Sequence, residues 1–215
     1  MFRLELGDML VRIPALLIAI TFHEYCHGRM ADYLGDPTAR YQGRLSLNPL
    51  VHLDPIGTLM LFFVGFGWAK PVHVNPYNFK GDKKLGMLKV AAAGPGANFS
   101  LAFFTMMLQG ILFITLRNET LFITANSFFN SVVTYNIFLG IFNLVPIPPL
   151  DGSKILSGIL PYRFDYYYRQ LEQYGFLLLM LFIITGVFRT VIIPLAYYVQ
   201  VIMASIISPF LRLFI

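Results

Sequence analysis

Residues 9–33 read MLVRIPALLIAITFHEYCHGRMADY. The stretch begins as a membrane helix and changes character halfway. Ile13 to Phe22 is an apolar run, and His23, Glu24, His27, Arg29 and Asp32 follow at once. Ionisable side chains inside a membrane segment are costly to bury, and such a cluster marks a functional site. A signal-peptide core is the alternative for 13–22, but no small-residue cleavage site follows it.

The cluster has an internal order. His23-Glu24-Tyr25-Cys26-His27 is the H-E-x-x-H pattern. On a helix, residues four apart share a face, so both imidazoles can hold one Zn²⁺. Glu24 then stands beside a water acidified by the metal and can act as general base. Without a metal and water, three ionisable side chains would lie unpaired in lipid. Cys26 falls off the shared face and reads as a packing residue.

The rest of the chain fits this setting. Of 215 residues, 57% are hydrophobic and 13% charged, with mean hydropathy +0.66. Soluble domains are nearer a quarter charged. Aromatics at 16% exclude disorder, and one cysteine excludes a disulfide framework. Residues 90–116, 120–150, 173–188 and 190–211 carry no charge. A crossing takes about 20 apolar residues, a length that three of these windows reach and that 173–188 reaches if the helix starts near Leu171.

The expected fold is an α-helical polytopic membrane protein with about five transmembrane helices. Pro55 to Trp68 is too short to cross and is expected to be re-entrant or interfacial. The connections 34–54 and 69–89 are rich in Pro, Gly, Asn and charge, and short strands are expected near the membrane surface at Arg40–Leu47 and Pro71–Val74. Residues 1–215 read as one domain, with a core at 9–155 and two further membrane helices in 156–215. The net charge of +5 sits in loops beside the spans, the pattern of a lipid-bilayer protein rather than a nucleic-acid binder.

A catalytic zinc keeps three protein ligands and one open position. His52 and His73, both in connections, are possible third ligands. So is Asp151, which ends the longest charge-free window after Pro146, Pro148 and Pro149. These prolines break the helix and free backbone groups at membrane depth. Asp151 could instead cap a short helix starting near Ser153.

Further segments join these. Asn143 lies eight positions before Asp151-Gly152. Asn48-Pro49-x-x-His52-x-Asp54-Pro55-x-Gly57, Trp68-Ala69-Lys70-Pro71-Val72-x-Val74-Asn75-Pro76 and Ala93-Gly94-Pro95-x-x-Asn98-Phe99 are the others. Together with the H-E-x-x-H helix, the chain resembles the site-2 proteases, the intramembrane zinc metalloproteases of peptidase family M50. It is most similar to small prokaryotic members without a PDZ or CBS domain. The resemblance implies hydrolysis of peptide bonds in or near the transmembrane helices of substrate proteins. It implies one Zn²⁺ per chain on His23, His27 and Asp151, with Glu24 as base. Asn143 would orient the substrate strand or polarise its carbonyl. Asn98 and His52 would orient substrate or support the ligands from behind, and His52 could equally be a structural cap.

The ligands constrain topology. His23 and His27 lie late in their helix and Asp151 lies just past the end of its own. The two helices must therefore run the same way, which requires 55–68 not to cross. Twelve Lys and Arg then fall on the Asp151 side and four on the other. Positive loops are cytoplasmic, so the active site is expected nearer the cytoplasmic face of a prokaryotic cell membrane. The alternative function is a membrane zinc transporter or sensor without proteolysis, which would need further ligands along a pathway.

Overall fold

The computed structural model describes residues 6–64, 67–115 and 119–212. Gly65 and the cations Arg3 and Arg117 of the sequence argument lie outside them. Among the described residues nine α-helices follow one another: α1 (Leu6–Tyr33), α2 (Thr38–Tyr41), α3 (Pro55–Val64), α4 (Lys83–Thr115), α5 (Glu119–Leu144), α6 (Asp151–Ile159), α7 (Asp165–Gln173), α8 (Gly175–Ile184) and α9 (Ile193–Leu211). Four segments of the described residues are long and apolar enough to cross a bilayer: Met9–Tyr33, Lys83–Ile114, Ile123–Leu144 and Arg189–Leu211. Lipid offers a backbone no hydrogen-bond partners, so apolar stretches of this length must bond within themselves as helices. The protein is an α-helical integral membrane protein. Phe104, Phe113, Ile202 and Phe210 face outward, as lipid-exposed residues should.

Hydrogen bonds between helices fix their directions. Position 23 of α1 meets position 98 of α4, and position 27 meets position 90. Asn98 also meets Asn136 of α5, while Gln109 further along α4 meets Asn126. Helix α4 is therefore antiparallel to both α1 and α5, and α1 and α5 are parallel. The two helices expected to bring the metal ligands together run the same way. Ala102, Val133, Ile137, Ile141 and Ile192 form the apolar core of this bundle.

The expected fifth crossing is absent as a separate helix. Helix α8 has ten residues, about 15 Å at 1.5 Å per residue, half a bilayer core. The polar sequence of α7 does not extend it into the membrane, and Gly186, at φ +77°, ends it. The contacts show where the chain goes instead. A side chain at Gly175 would strike Pro148 near the metal end, Ile192 joins the core, and Leu211 meets Gly110 toward the far end of α4. The segment Arg189–Leu211 is long enough to make this crossing by itself, and the ten residues of α8 are too few to make another. Arg212 therefore lies at the far end and Arg189, which opens the last crossing, at the metal end, the reverse of what five crossings would give.

Residues 53–69 leave and return to one place. Leu53 and Ala69 form an isolated antiparallel bridge, and the Lys70 N–H donates to the His52 carbonyl at 2.9 Å. A crossing would separate these ends by about 30 Å. Helix α3, ten residues long, packs so closely on the return that a Cβ at Gly57 would lie 2.2 Å from the Trp68 carbonyl oxygen.

The expected surface strands are not seen among the described residues. Thr38–Tyr41 is a helical turn instead, and 71–74 has no regular secondary structure. Side chains take the place of a ladder there. Arg44 donates to the Lys70 and Pro71 carbonyls, Glu24 accepts from the Val72 N–H, and Asp36 accepts from the Asn75 N–H. The Asn-Pro and Asp-Pro pairs explain themselves in the same region. Asn48, Asp54 and Asn75 each accept a backbone N–H two or three residues on, with proline next in line, which is N-cap chemistry followed by a residue without an N–H to satisfy.

Asp36 is the hub of these contacts. It is fully buried just past α1 and accepts from the Thr38 N–H and hydroxyl, the Asn75 N–H at 2.7 Å and the Asn78 amide at 2.8 Å. Burial alone would raise its pKa, but these four donors outweigh it and hold the carboxyl below its ordinary value. The folded value then lies below the unfolded one. The stabilisation is complete above about pH 4 and is lost as pH falls through the folded value. Asp36→Ala leaves donors unpaired and should cost about 3 kcal/mol. Thermal unfolding in detergent at neutral pH should show that loss, and the variant should lose part of the wild-type sensitivity to acid.

Candidate metal centre

His23 and His27 stand one turn apart on α1, both buried, with rings edge to face. Each ring is held from behind. His23 Nδ1 lies 2.6 Å from Asn98 Oδ1, and His27 Nδ1 lies 2.7 Å from the Val90 carbonyl oxygen. Both partners are oxygens that accept, and the Asn98 amide nitrogen is occupied by donation to the Ala19 carbonyl and to Asn136. Each Nδ1 therefore carries the proton, and each Nε2 presents a lone pair.

Asp151 arrives from the break after α5. Pro146, Pro148 and Pro149 stop α5 at Leu144, and α6 starts at Asp151 itself. Its carboxylate does not cap α6; no side chain caps that helix, and Leu150 precedes it. The carboxylate instead meets the histidines, Oδ2 lying 3.1 Å from His23 Nε2 and 3.0 Å from His27 Nε2. Gly152 permits this approach, because a Cβ there would lie 2.2 Å from the Leu144 carbonyl oxygen.

The donor set fits a divalent cation. Three lone-pair atoms lie within 3.1 Å of one another, with 2.9 Å between the two Nε2 atoms. Both imidazole protons are committed elsewhere, and buried Asp151 Oδ2 has no hydrogen-bond donor. A single added proton would satisfy one contact of the three. A cation satisfies all of them, and two imidazoles with one carboxylate leave the open position of a catalytic zinc site. Among the described residues this is the one group of His, Cys, Asp and Glu able to hold a metal.

Asn98, expected behind the ligands or along the substrate, is placed behind His23. It is fully buried and hydrogen-bonded to Asn136, whose own amide donates to the Val132 carbonyl. This chain fixes the His23 tautomer and ring. Asn98→Ala should weaken zinc binding about 10- to 100-fold, measured by competition with a chromophoric chelator, while the fold persists.

The other sequence candidates lie elsewhere. Asn143 donates to the Leu139 carbonyl one turn back along α5. His52 is fully buried in the 49–52 turn, its Nε2 on the Ser46 carbonyl at 2.8 Å. His73 is exposed, and Cys26 is half-buried outside the ligand triangle. Glu24 is half-buried beside His23, with Oε2 accepting from the Val72 N–H at 2.9 Å. Three contributors were not singled out by sequence: Asn136, the Val72 N–H and Arg44. Asn136 is a polar residue in a charge-free span, which could have drawn notice; a backbone N–H and a loop arginine give no such signal.

Comparisons with known proteins agree with the geometry. The profile of peptidase family M50 matches residues 105–186, the part that holds Asn143 and Asp151. The chain is 39% identical over 186 residues to "Putative zinc metalloprotease YwhC" of Bacillus subtilis, covering 85% of this chain and 84% of that protein. It is 27% identical over 202 residues to "Putative zinc metalloprotease Rip2" of Mycolicibacterium smegmatis, covering 89% and 73%. A third relative, "Zinc metalloprotease MJ0392" of Methanocaldococcus jannaschii, is 30% identical over 83 residues, covering 39% and 22%. No solved structure matches the chain.

Proposed function

Because the chain belongs to the site-2 proteases of peptidase family M50 and is a zinc metalloprotease, we propose that it cleaves peptide bonds within or beside the transmembrane helices of other membrane proteins. The observation that carries this reading is where the site lies. His23 and His27 are inside a span-length apolar helix, and their Nε2 atoms face an aspartate delivered by a second helix of the same bundle.

In this reading His23, His27 and Asp151 hold one zinc. Zinc bound there supplies Lewis acidity, lowering the pKa of water toward about 7 and polarising a peptide carbonyl. Glu24 takes the proton of the attacking water and passes it to the leaving nitrogen. Asn98 and the Val90 carbonyl keep both imidazoles aimed. Asn143, one turn before the proline break, is the candidate for orienting the substrate. A substrate helix must unwind to expose a carbonyl, and the 71–74 backbone is where an unwound strand would pair. Residues 9–155 form the catalytic core, and 156–215 buttress it within a single domain. Loop cations concentrate at the metal end of the bundle, which supports a site nearer the cytoplasm. A transport role would need further ligand groups along a path, and the described residues offer one group.

The test is cleavage of a single-span substrate co-reconstituted in liposomes, with the cut mapped by mass spectrometry. Cuts inside the membrane segment or within a few residues of it are expected. Cuts confined to soluble loops would contradict the proposed substrate class and leave the zinc peptidase activity intact.

A further inference from the structure

Arg44 is 5% exposed although it belongs to a polar connection. A buried guanidinium is expensive unless its surroundings use it. Its Nη2 donates to the Lys70 carbonyl and, at 3.3 Å, to the Pro71 carbonyl. The next peptide N–H along the chain, that of Val72, donates to Glu24 Oε2.

The segment so gripped is a strap laid across α1. Its near end is tied by the Lys70 N–H on the His52 carbonyl, its far end by the Asn75 N–H on Asp36. Val72 lies over Gly28, one turn beyond Glu24, where a Cβ on the glycine would already touch the valine at 3.5 Å and Leu45 at 2.7 Å. The Pro71 ring fixes its own φ, but the two tied ends do not set its ψ, which turns the plane that carries the Pro71 carbonyl and the Val72 N–H, and Arg44 holds the Lys70 and Pro71 carbonyls to one side. The guanidinium also stands within electrostatic reach of the Glu24 carboxylate.

We propose that Arg44 is a positioning residue for the hydrolytic reaction: by holding the Lys70 and Pro71 carbonyls it aims the Val72 N–H at one oxygen of Glu24, fixing that carboxylate and leaving its other oxygen for the attacking water. The proposal rests on Glu24 being the base. It makes the strap part of the catalytic apparatus and Arg44 its clamp.

The test uses the full-length protein in detergent with a single-span substrate, in four forms: Arg44→Gln, Arg44→Lys, Val72→Pro and the Arg44→Gln/Val72→Pro double variant. Proline removes the N–H, and Val72 lies outside any helix. Zinc content is measured for each. Arg44→Gln and Val72→Pro should each lower kcat about 10- to 100-fold with KM within about twofold. Arg44→Lys should recover part of the loss, since one nitrogen of Arg44 makes both contacts. The double variant should be no slower than the slower single, because both act through one hydrogen bond.

A second readout is independent of activity. Hydrogen exchange in the peptide covering 69–75 should speed up in Arg44→Gln, with or without zinc. An unchanged kcat, a raised KM at full kcat, multiplicative losses in the double variant or unchanged exchange would each overturn the proposal. So would loss of zinc from both single Arg44 variants, which would assign the residue to the metal site itself. Equal cleavage by Glu24→Gln and wild type would instead sink the assignment of the base, while the exchange result still reports on the clamp.

Discussion

Glu24→Gln is expected to bind zinc as fully as the wild type and to hydrolyse substrate about 10³-fold more slowly. The substitution is nearly isosteric, so the half-buried side chain keeps its place beside His23 and under the strap. An amide oxygen can still accept from the Val72 N–H, which now contacts Oε2 at 2.9 Å. What disappears is proton transfer. A neutral amide takes no proton from water and has none to give a leaving amine. The loss corresponds to about 4 kcal/mol of transition-state stabilisation. Because Glu24 is not among the three converging ligand atoms, zinc content should not follow activity down. Cleavage by this variant within about tenfold of wild type would show that another group does the proton work.

Gly94→Ala should abolish zinc binding and activity together, although it exchanges glycine for the best helix former. By helix propensity alone the change would stabilise α4 by about 1 kcal/mol. Geometry decides otherwise. A Cβ on Gly94 would lie 2.4 Å from His27 Nε2, 2.5 Å from His27 Cε1 and 2.6 Å from His23 Cε1. Neither ring can retreat without cost, because moving away from α4 would break its Nδ1 contact with Asn98 or the Val90 carbonyl. The methyl group therefore lands on the ligand atoms, and zinc affinity should fall by more than about 100-fold, beyond the usual effect of losing a supporting contact. Gly96→Ala is the matched control. Nothing lies within 4 Å of a Cβ there, so zinc content and activity should stay at wild-type levels. Metal analysis and cleavage rates of the two variants, side by side, separate the steric argument from any general intolerance of α4 to alanine.

The residues proposed to do the chemistry were the most legible part of the sequence, for a physical reason. His23, Glu24, His27 and Asp151 are ionisable groups in a setting that excludes charge, so each stands out against its neighbours. The path of the backbone was legible where length alone decides, as in α1, α4 and α5. It was misread in 171–211, where apolar composition suggested two crossings; one segment of crossing length follows the Gly186 turn, and the helix before the turn has ten residues. The surface strands failed for a different cause. Alternation around 40–47 and 71–74 is real, but a strand needs a partner, and the partners turned out to be side chains of Arg44, Glu24 and Asp36. Such contacts join residues up to 48 positions apart and leave no local pattern. Gly94 and Gly96 make the same point at close range. Both are glycines of one helix two positions apart, and only the arrangement in space tells the one against the imidazoles from the one in the open.

The account stands on one zinc held by two histidines of α1 and an aspartate delivered 124 positions after His27 by the end of α5. The most direct measurement is the zinc-to-protein ratio of purified Asp151→Ala, set beside the wild type and Glu24→Gln and read by elemental mass spectrometry. About one zinc per chain is predicted for the wild type and Glu24→Gln, and almost none for Asp151→Ala after dialysis against a weak chelator. Full zinc retention by Asp151→Ala would contradict the account.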